Sequence, residues 1–241
     1  RDKVIGALAR IGLSILLAGI PTALMICLFW RWAYQVLGRY WLSLSLALGL
    51  ALGTTLFPYS SLFYNHALAA SLLFTSFYLL WRMKNERGSP GWLVLVGFLL
   101  GFSVLSQYES VLIAVPLGLY ALFTTPRPNL LARFGWLALG TIPTGVLLVG
   151  YDLLAFGTPL PVGYEYSLLW ADRHSQGFLS LTYPHPDALV GLLVSPYRGI
   201  FLMSPFLLLA IPGLYFGLRN ATYRVETLVC LWSCLAFWLF N

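Results

Sequence analysis

The chain is short of charge. Only 9% of its 241 residues are Asp, Glu, Lys or Arg, while 59% are hydrophobic; soluble domains carry roughly 25% charged residues. That balance excludes an ordinary soluble domain and reads as a polytopic membrane protein. Cysteine is scarce as well. Cys27, Cys230 and Cys234 all fall within apolar runs, which leaves no disulfide framework or zinc site to build; the turn-spaced pair Cys230/Cys234 reads as small packing residues. Three histidines, no two at helical metal spacing, give no metal centre and no support for hydrolase chemistry. The net charge of +6 is scattered in ones and threes between apolar runs rather than clustered with aromatics, which excludes nucleic-acid binding. No repeat of fixed period occurs.

What is present is a series of apolar runs of membrane-spanning length. They predict an all-α polytopic bundle of about eight spans, at residues 11–30, 41–57, 62–81, 91–106, 109–123, 134–156, 200–218 and 225–240. Glycine pairs at helical spacing, Gly49/Gly53, Gly97/Gly101 and Gly213/Gly217, read as sites of close helix approach. Prolines 21, 58, 116, 143, 205 and 212 bend or end spans. The whole of 1–241 is expected to be one transmembrane domain, with residues 157–199 as a long loop inside it. Starting at Arg1 without a signal peptide, and stopping at the end of a span, the sequence reads as the middle of a longer chain.

Basic residues set the orientation, because cytoplasmic loops are enriched in them. One set of loops holds nine: Arg31, Arg39, Arg82, Lys84, Arg87, Arg127, Arg133, Arg219 and Arg224. The other set holds five: Arg1, Lys3, Arg10, Arg173 and Arg198. Six of the eight acids fall with the five, namely Asp2, Glu109, Asp152, Glu165, Asp172 and Asp187. The N-terminus and the 157–199 loop are therefore expected outside, in what reads as a bacterial plasma membrane.

Candidate chemistry gathers on that outer side. The uncharged segment FPYSSLFYNH (57–66) is a tight aromatic turn: its rings suit headgroup level, while Ser60, Ser61, Asn65 and His66 are able to hydrogen-bond a ligand. His66 has three readings, as a pigment or haem ligand, a substrate contact or a turn cap. Gln107, Tyr108 and Glu109 form a second outer turn, and Asp152 a third polar point. Ionisable groups at such depth usually face a cavity or a partner; Glu109 is readable as a headgroup-level turn residue exposed to water and Asp152 as a paired structural acid, or either as an anchor for a sugar hydroxyl or a base. Arg198, in the SPYRG turn beside Tyr197, is placed either to snorkel at the interface or to fork onto phosphate oxygens. His185 is held between two prolines.

Four blocks in order, GTTLFPYSSLFYNHALAASLLFTSFYLL (53–80), GFLLGFSVLSQYESVLIAVPLGLYAL (97–122), YDLLAFGTPLPVGYEY (151–166) and LLVSPYRGIFLMSPFLLLAIPGL (192–214), carry a resemblance. The chain resembles the GT-C class of polytopic glycosyltransferases, which use polyprenyl-phosphate sugars and include protein O-mannosyltransferase and aminoarabinose-transferase relatives. The resemblance implies an extracytoplasmic active site that transfers a sugar from the lipid phosphate to an acceptor hydroxyl on a protein, lipid or glycan. It implies that Arg198, with Tyr197, contacts the donor phosphate, whose charge Arg198 or a divalent cation offsets, and that His66, Gln107 and Tyr108 line the cavity. Glu109, Asp152, Tyr164, Glu165 and His185 complete the candidate set. The family's catalytic aspartate sits in a first outer loop, which in this chain falls upstream of Arg1; where relatives often carry asparagine after the tyrosine, this chain has Asp152.

Two other classes compete. A non-catalytic membrane subunit holding lipid or pigment within a larger complex would explain His66 and the absent first loop. A transporter would require broken helices and mid-membrane polar groups, and the predicted spans show few of these.

Overall fold

The computed structural model describes residues 2–86, 89, 91–124, 129–159 and 185–240, and every regular element among them is helical. The chain opens with α1 (Asp2–Ser14), a π-helical turn (Ile15–Gly19) and α2 (Ile20–Leu37), which run on as one rod. Gly38, at φ 64°, ends it: its N–H bonds Tyr34 O at 2.9 Å in the left-handed geometry that glycine tolerates best. Next come α3 (Tyr40–Leu52), α4 (Leu56–Ser61), α5 (Asn65–Asn85) and α6 (Gly91–Ser106). A 3-10 turn (Tyr108–Ser110) leads into α7 (Val111–Thr124), and α8 (Leu130–Phe156) follows. The remainder is α9 (Pro186–Val194), α10 (Ile200–Met203), a 3-10 turn (Pro205–Leu209), α11 (Ala210–Arg219) and α12 (Arg224–Phe240).

The all-helical expectation holds among the described residues, but the expected spans are revised. Two helices, Val4–Leu37 and Leu130–Phe156, are long and apolar enough to cross a bilayer; Tyr40–Leu52, Gly91–Ser106, Tyr108–Thr124 and Pro205–Arg219 are apolar but shorter. The span expected at 11–30 is the middle of a 34-residue helix, about 50 Å long at 1.5 Å per residue. The span expected at 41–57 breaks after Leu52. Thr54 Oγ donates back to Leu50 O at 2.7 Å and accepts from Leu56 N at 3.2 Å, ending one helix and starting the next. The span expected at 200–218 breaks at Ser204. These breaks meet: Thr55 N donates to Ser204 Oγ at 3.0 Å, and the Phe206 ring fills the notch over Gly49 with its Cβ beside Gly53. The chain is thus more broken than its hydropathy suggests, because hydropathy is blind to local hydroxyl-to-carbonyl bonds. The 157–199 stretch is also not loop throughout, since Pro186–Val194 is helix.

The apolar core joins α5, α6, α7 and α8 through Leu73, Phe77, Leu80, Leu93, Val96, Leu117 and Leu137. Helix α8 shows how the packing sorts residues. Leu137, Gly140, Thr144 and Asp152 turn inward, while Leu139, Ile142, Val146, Val149 and Leu153 form an exposed apolar face. Exposed apolar faces on this scale suit lipid rather than water. Most buried hydroxyls are spent on their own helix: Ser71 bonds Ala67 O, Ser76 bonds Leu72 O, Ser103 bonds Leu100 O and Thr144 bonds Thr141 O, at 2.7 to 2.9 Å.

At one end, Lys84 Nζ lies 2.7 Å from Glu226 Oε1, and Tyr120 OH donates to the same oxygen at 2.6 Å, tying α5, α7 and α12. Glu226 is 4% exposed. Removing one member of such a buried set leaves the others unpaired. Glu226→Ala is expected to cost about 2 kcal/mol, below the 3–5 kcal/mol of fully buried pairs because Lys84 keeps some solvent; Glu226→Ala with Lys84→Met should recover part of it. Thermal unfolding of the detergent-solubilised variants checks this, and an unchanged midpoint for the single variant would refute it.

Candidate functional site

The opposite end of the bundle gathers the polar turns. Helix α5 starts there after the extended residues Leu62 and Tyr64, which place Asn65 and His66 beside the end of α6. Asn65 Nδ2 donates to Ser106 O at 2.6 Å, and His66 Nδ1 lies 2.9 Å from Gln107 Oε1. One residue on, Tyr108 OH reaches Asp152 Oδ1 on α8 at 3.5 Å, a long hydrogen bond. Side-chain contacts therefore join the 57–66 segment, the 106–110 turn and the C-terminal end of α8. The sequence placed these at a common level without showing that they touch.

Asp152 is the outlier among the buried polar groups. It is fully buried, Oδ2 has no hydrogen-bond partner, and it has no ion pair among the described residues. An isolated carboxylate in such surroundings costs several kcal/mol unless a donor reaches it. Burial first, then the Asp152 charge, raises the Tyr108 phenol above its ordinary value, so Tyr108 meets the carboxylate as a protonated donor. Glu109 is half-buried on the first turn after Tyr108.

Arg198 stands on a separate segment. Ser195–Gly199 forms a closed turn: Gly199 N donates to Ser195 O at 2.7 Å and Tyr197 N to Ser195 Oγ at 3.2 Å. A Cβ on Gly199 would overlap the Ser195 backbone and come within 2.7 Å of Val194 C, so the turn needs glycine there. Arg198 and Tyr197 are exposed, with the guanidinium 5.2 Å from the Tyr197 ring centroid. Two anchors hold the segment, Trp238 Nε1 to Leu189 O at 2.9 Å and Ser204 to Thr55 at the corner that continues into the 57–66 turn. Among the described residues no hydrogen bond, ion pair or ring contact brings Arg198 against Asp152 or His66. His185 is exposed at the N-cap position of α9, its carbonyl accepting from Leu189 N at 3.0 Å; it starts a helix rather than joining the cluster. Tyr164 and Glu165 lie outside the described residues.

Sequence reasoning missed the Lys84–Glu226–Tyr120 cluster and helix α9. For the second, the signal was available: a proline at the first helical position followed by Asp187 in the first turn. For the first, only the misplacement of an acid at the start of an apolar run hinted at a partner. Among the described residues no three His, Cys, Asp or Glu side chains come together as a metal site. No family model, curated protein or solved structure matches the chain.

Proposed function

We propose that this chain is a polytopic membrane glycosyltransferase of the GT-C type, with about eight crossings. It moves a sugar from a polyprenyl-phosphate donor to an acceptor hydroxyl on the extracytoplasmic side of a bacterial plasma membrane. The observation that carries this reading is Asp152, a wholly buried carboxylate with one oxygen bare, beside the polar turns at one end of an otherwise apolar bundle. The segregation of basic residues to the opposite loops and the apolar faces turned outward support a membrane setting of that orientation.

In the proposed reaction a sugar hydroxyl donates to Asp152 Oδ2, which has no partner among the described residues, while Tyr108 holds Oδ1. The base, by the resemblance an aspartate of a first outer loop, takes the acceptor hydroxyl's proton as the acceptor oxygen bonds to the anomeric carbon. The bond from that carbon to the phosphate oxygen breaks, and its electron pair leaves with the polyprenyl phosphate. The leaving phosphate's charge is offset by Arg198 or by a divalent cation. The acceptor is a protein, lipid or glycan.

Asp152→Asn keeps the shape and one acceptor oxygen but loses the charge. It is expected to lower kcat/KM for transfer about tenfold, the lower end of what a hydrogen bond to a charged group contributes. The assay is transfer of labelled sugar from polyprenyl phosphate by the full chain in proteoliposomes. Wild-type protein that transfers nothing from any such donor would defeat the function, and an unaffected Asp152→Asn variant would defeat the role given to Asp152.

A further inference from the structure

The 57–66 corner contains more than a membrane-interface aromatic patch requires. We propose that it is a saccharide site that takes a neutral pyranose ring, and that the acceptor in the transfer above is a glycan; the acceptor assignment rests on that transfer, whereas the binding does not.

Three observations converge. The first is the ring cluster. Tyr59 and Tyr64 stand 40% and 56% exposed, and both pack on the exposed His66 ring, at centroid distances of 5.3 and 6.2 Å, and on each other at 6.1 Å. The second is the polarity of the hydrogen bonds. In the tautomer that donates from Nδ1 to Gln107 Oε1, 2.9 Å away, the His66 Nε2 is an open acceptor. Asn65 spends its amide nitrogen on Ser106 O, leaving Oδ1 as a second acceptor. Neither makes another hydrogen bond among the described residues, so the complementary ligand brings donors. The third is the charge. No Asp, Glu, Lys or Arg occurs between Arg39 and Arg82, so a phosphate, carboxylate or ammonium would find no counter-charge on this segment.

A ligand with O–H donors, no charge and apolar C–H faces for aromatic rings is a pyranose. A phospholipid headgroup fits less well, because its formal charges would find no counter-charge on this segment. The location agrees with an acceptor role: Gln107, which fixes His66, immediately precedes Tyr108, whose hydroxyl reaches Asp152.

The test uses the full chain in detergent micelles with histidine imidazoles labelled by nitrogen-15, titrated with mannotriose and with maltotriose. The His66 signals, assigned through His66→Gln, are expected to shift saturably with at least one trisaccharide while those of His185 stay put. Tyr64→Ala should weaken binding about tenfold, and Tyr64→Phe, which keeps the ring, should restore it; Tyr64 is exposed, so neither change threatens the fold. Absence of any shift with both sugars overturns the site. So does a shift produced equally by phosphocholine and insensitive to Tyr64→Ala, which would make the corner an interfacial anchor. If the trisaccharide binds but donor-loaded vesicles glycosylate a peptide hydroxyl instead of it, the glycan acceptor is overturned. If nothing is transferred to any acceptor, the transferase reading fails separately from the binding.

Discussion

Arg198→Ala is expected to cut transfer from a polyprenyl-phosphate sugar about a hundredfold or more. The magnitude follows from the charge it is asked to meet: removing one preorganised donor from a developing anion costs about 10²–10³ in kcat, and an arginine fork on phosphate is among the stronger such donors. The side chain is set up for that work. It is exposed and has no ion pair among the described residues, and it lies over the Tyr197 ring on a turn that only glycine at position 199 closes. Arg198→Lys keeps the charge but loses the planar fork, so it should recover only part of the loss. Gly199→Ala should lower transfer without removing any contact group, because the added methyl forces the Ser195–Gly199 turn open. Measured in proteoliposomes, the loss should appear mainly in kcat, since the charge on the bridging oxygen develops as the bond breaks. Full activity in Arg198→Ala would remove Arg198 from the reaction and leave it as a snorkelling interfacial residue.

Composition and the polar interruptions between apolar runs were readable from the sequence because they depend on local residue type. An all-helical chain interrupted by polar residues near 57–66 and 106–110, with a polar point at 151–152, follows from apolar run lengths; the turn expected over 57–66 is instead the short helix Leu56–Ser61, an extended link and the start of α5. Contacts between turns were not readable. His66–Gln107 and Tyr108–Asp152 each link positions more than 40 residues apart, and no local pattern specifies which hairpins become neighbours. The helix breaks at Thr54 and Ser204 escaped for a different reason: serine and threonine are common inside apolar spans, and whether a hydroxyl returns to its own helix or turns to another is set by packing. Arg198 was legible as a turn residue, but its anchoring through Ser204 to Thr55, 149 positions away, was not. The candidate site was therefore visible as a set of residues and invisible as an arrangement.

Glycine spacing gives the sharpest separation between what sequence and structure show, and the largest expected effect on folding. Gly140→Leu is expected to destabilise the protein by about 3 kcal/mol or more, or to prevent its recovery in folded form, whereas Gly145→Leu on the same helix should be neutral or mildly stabilising. A Cβ on Gly140 would overlap Val94 O and lie 2.7 Å from Phe98 N, both backbone atoms of α6 that have no rotamer to escape into. The reverse contact is as tight, since a Cβ on Gly97 would overlap Leu137 O and sit 3.2 Å from the Gly140 Cα. The two helices meet backbone to backbone, and overpacking there costs at least the about 1–3 kcal/mol of an ordinary core, because whole helices must shift. Around Gly145 nothing lies within 4 Å, so leucine there adds only helix propensity, about 0.5–1 kcal/mol relative to glycine. The sequence has glycines at 135, 140, 145 and 150 in α8, a five-residue spacing that advances about 140° around a helix of 3.6 residues per turn. Successive members of that series cannot all face α6, and of the four only Gly140 meets a neighbour. The pair Gly97/Gly101 was recognisable as a site of close approach, but its partner depends on the rotation of α8, which is fixed by burying Leu137, Thr144 and Asp152 together. Thermal unfolding in detergent, with folded yield by size exclusion, separates the two variants; equal stability of Gly140→Leu and Gly145→Leu would show that α6 and α8 do not cross at Gly97 and Gly140. Because that crossing also sets the height at which Asp152 meets Tyr108, a Gly140→Leu protein that still folded should lose transfer along with stability, while Gly145→Leu keeps both.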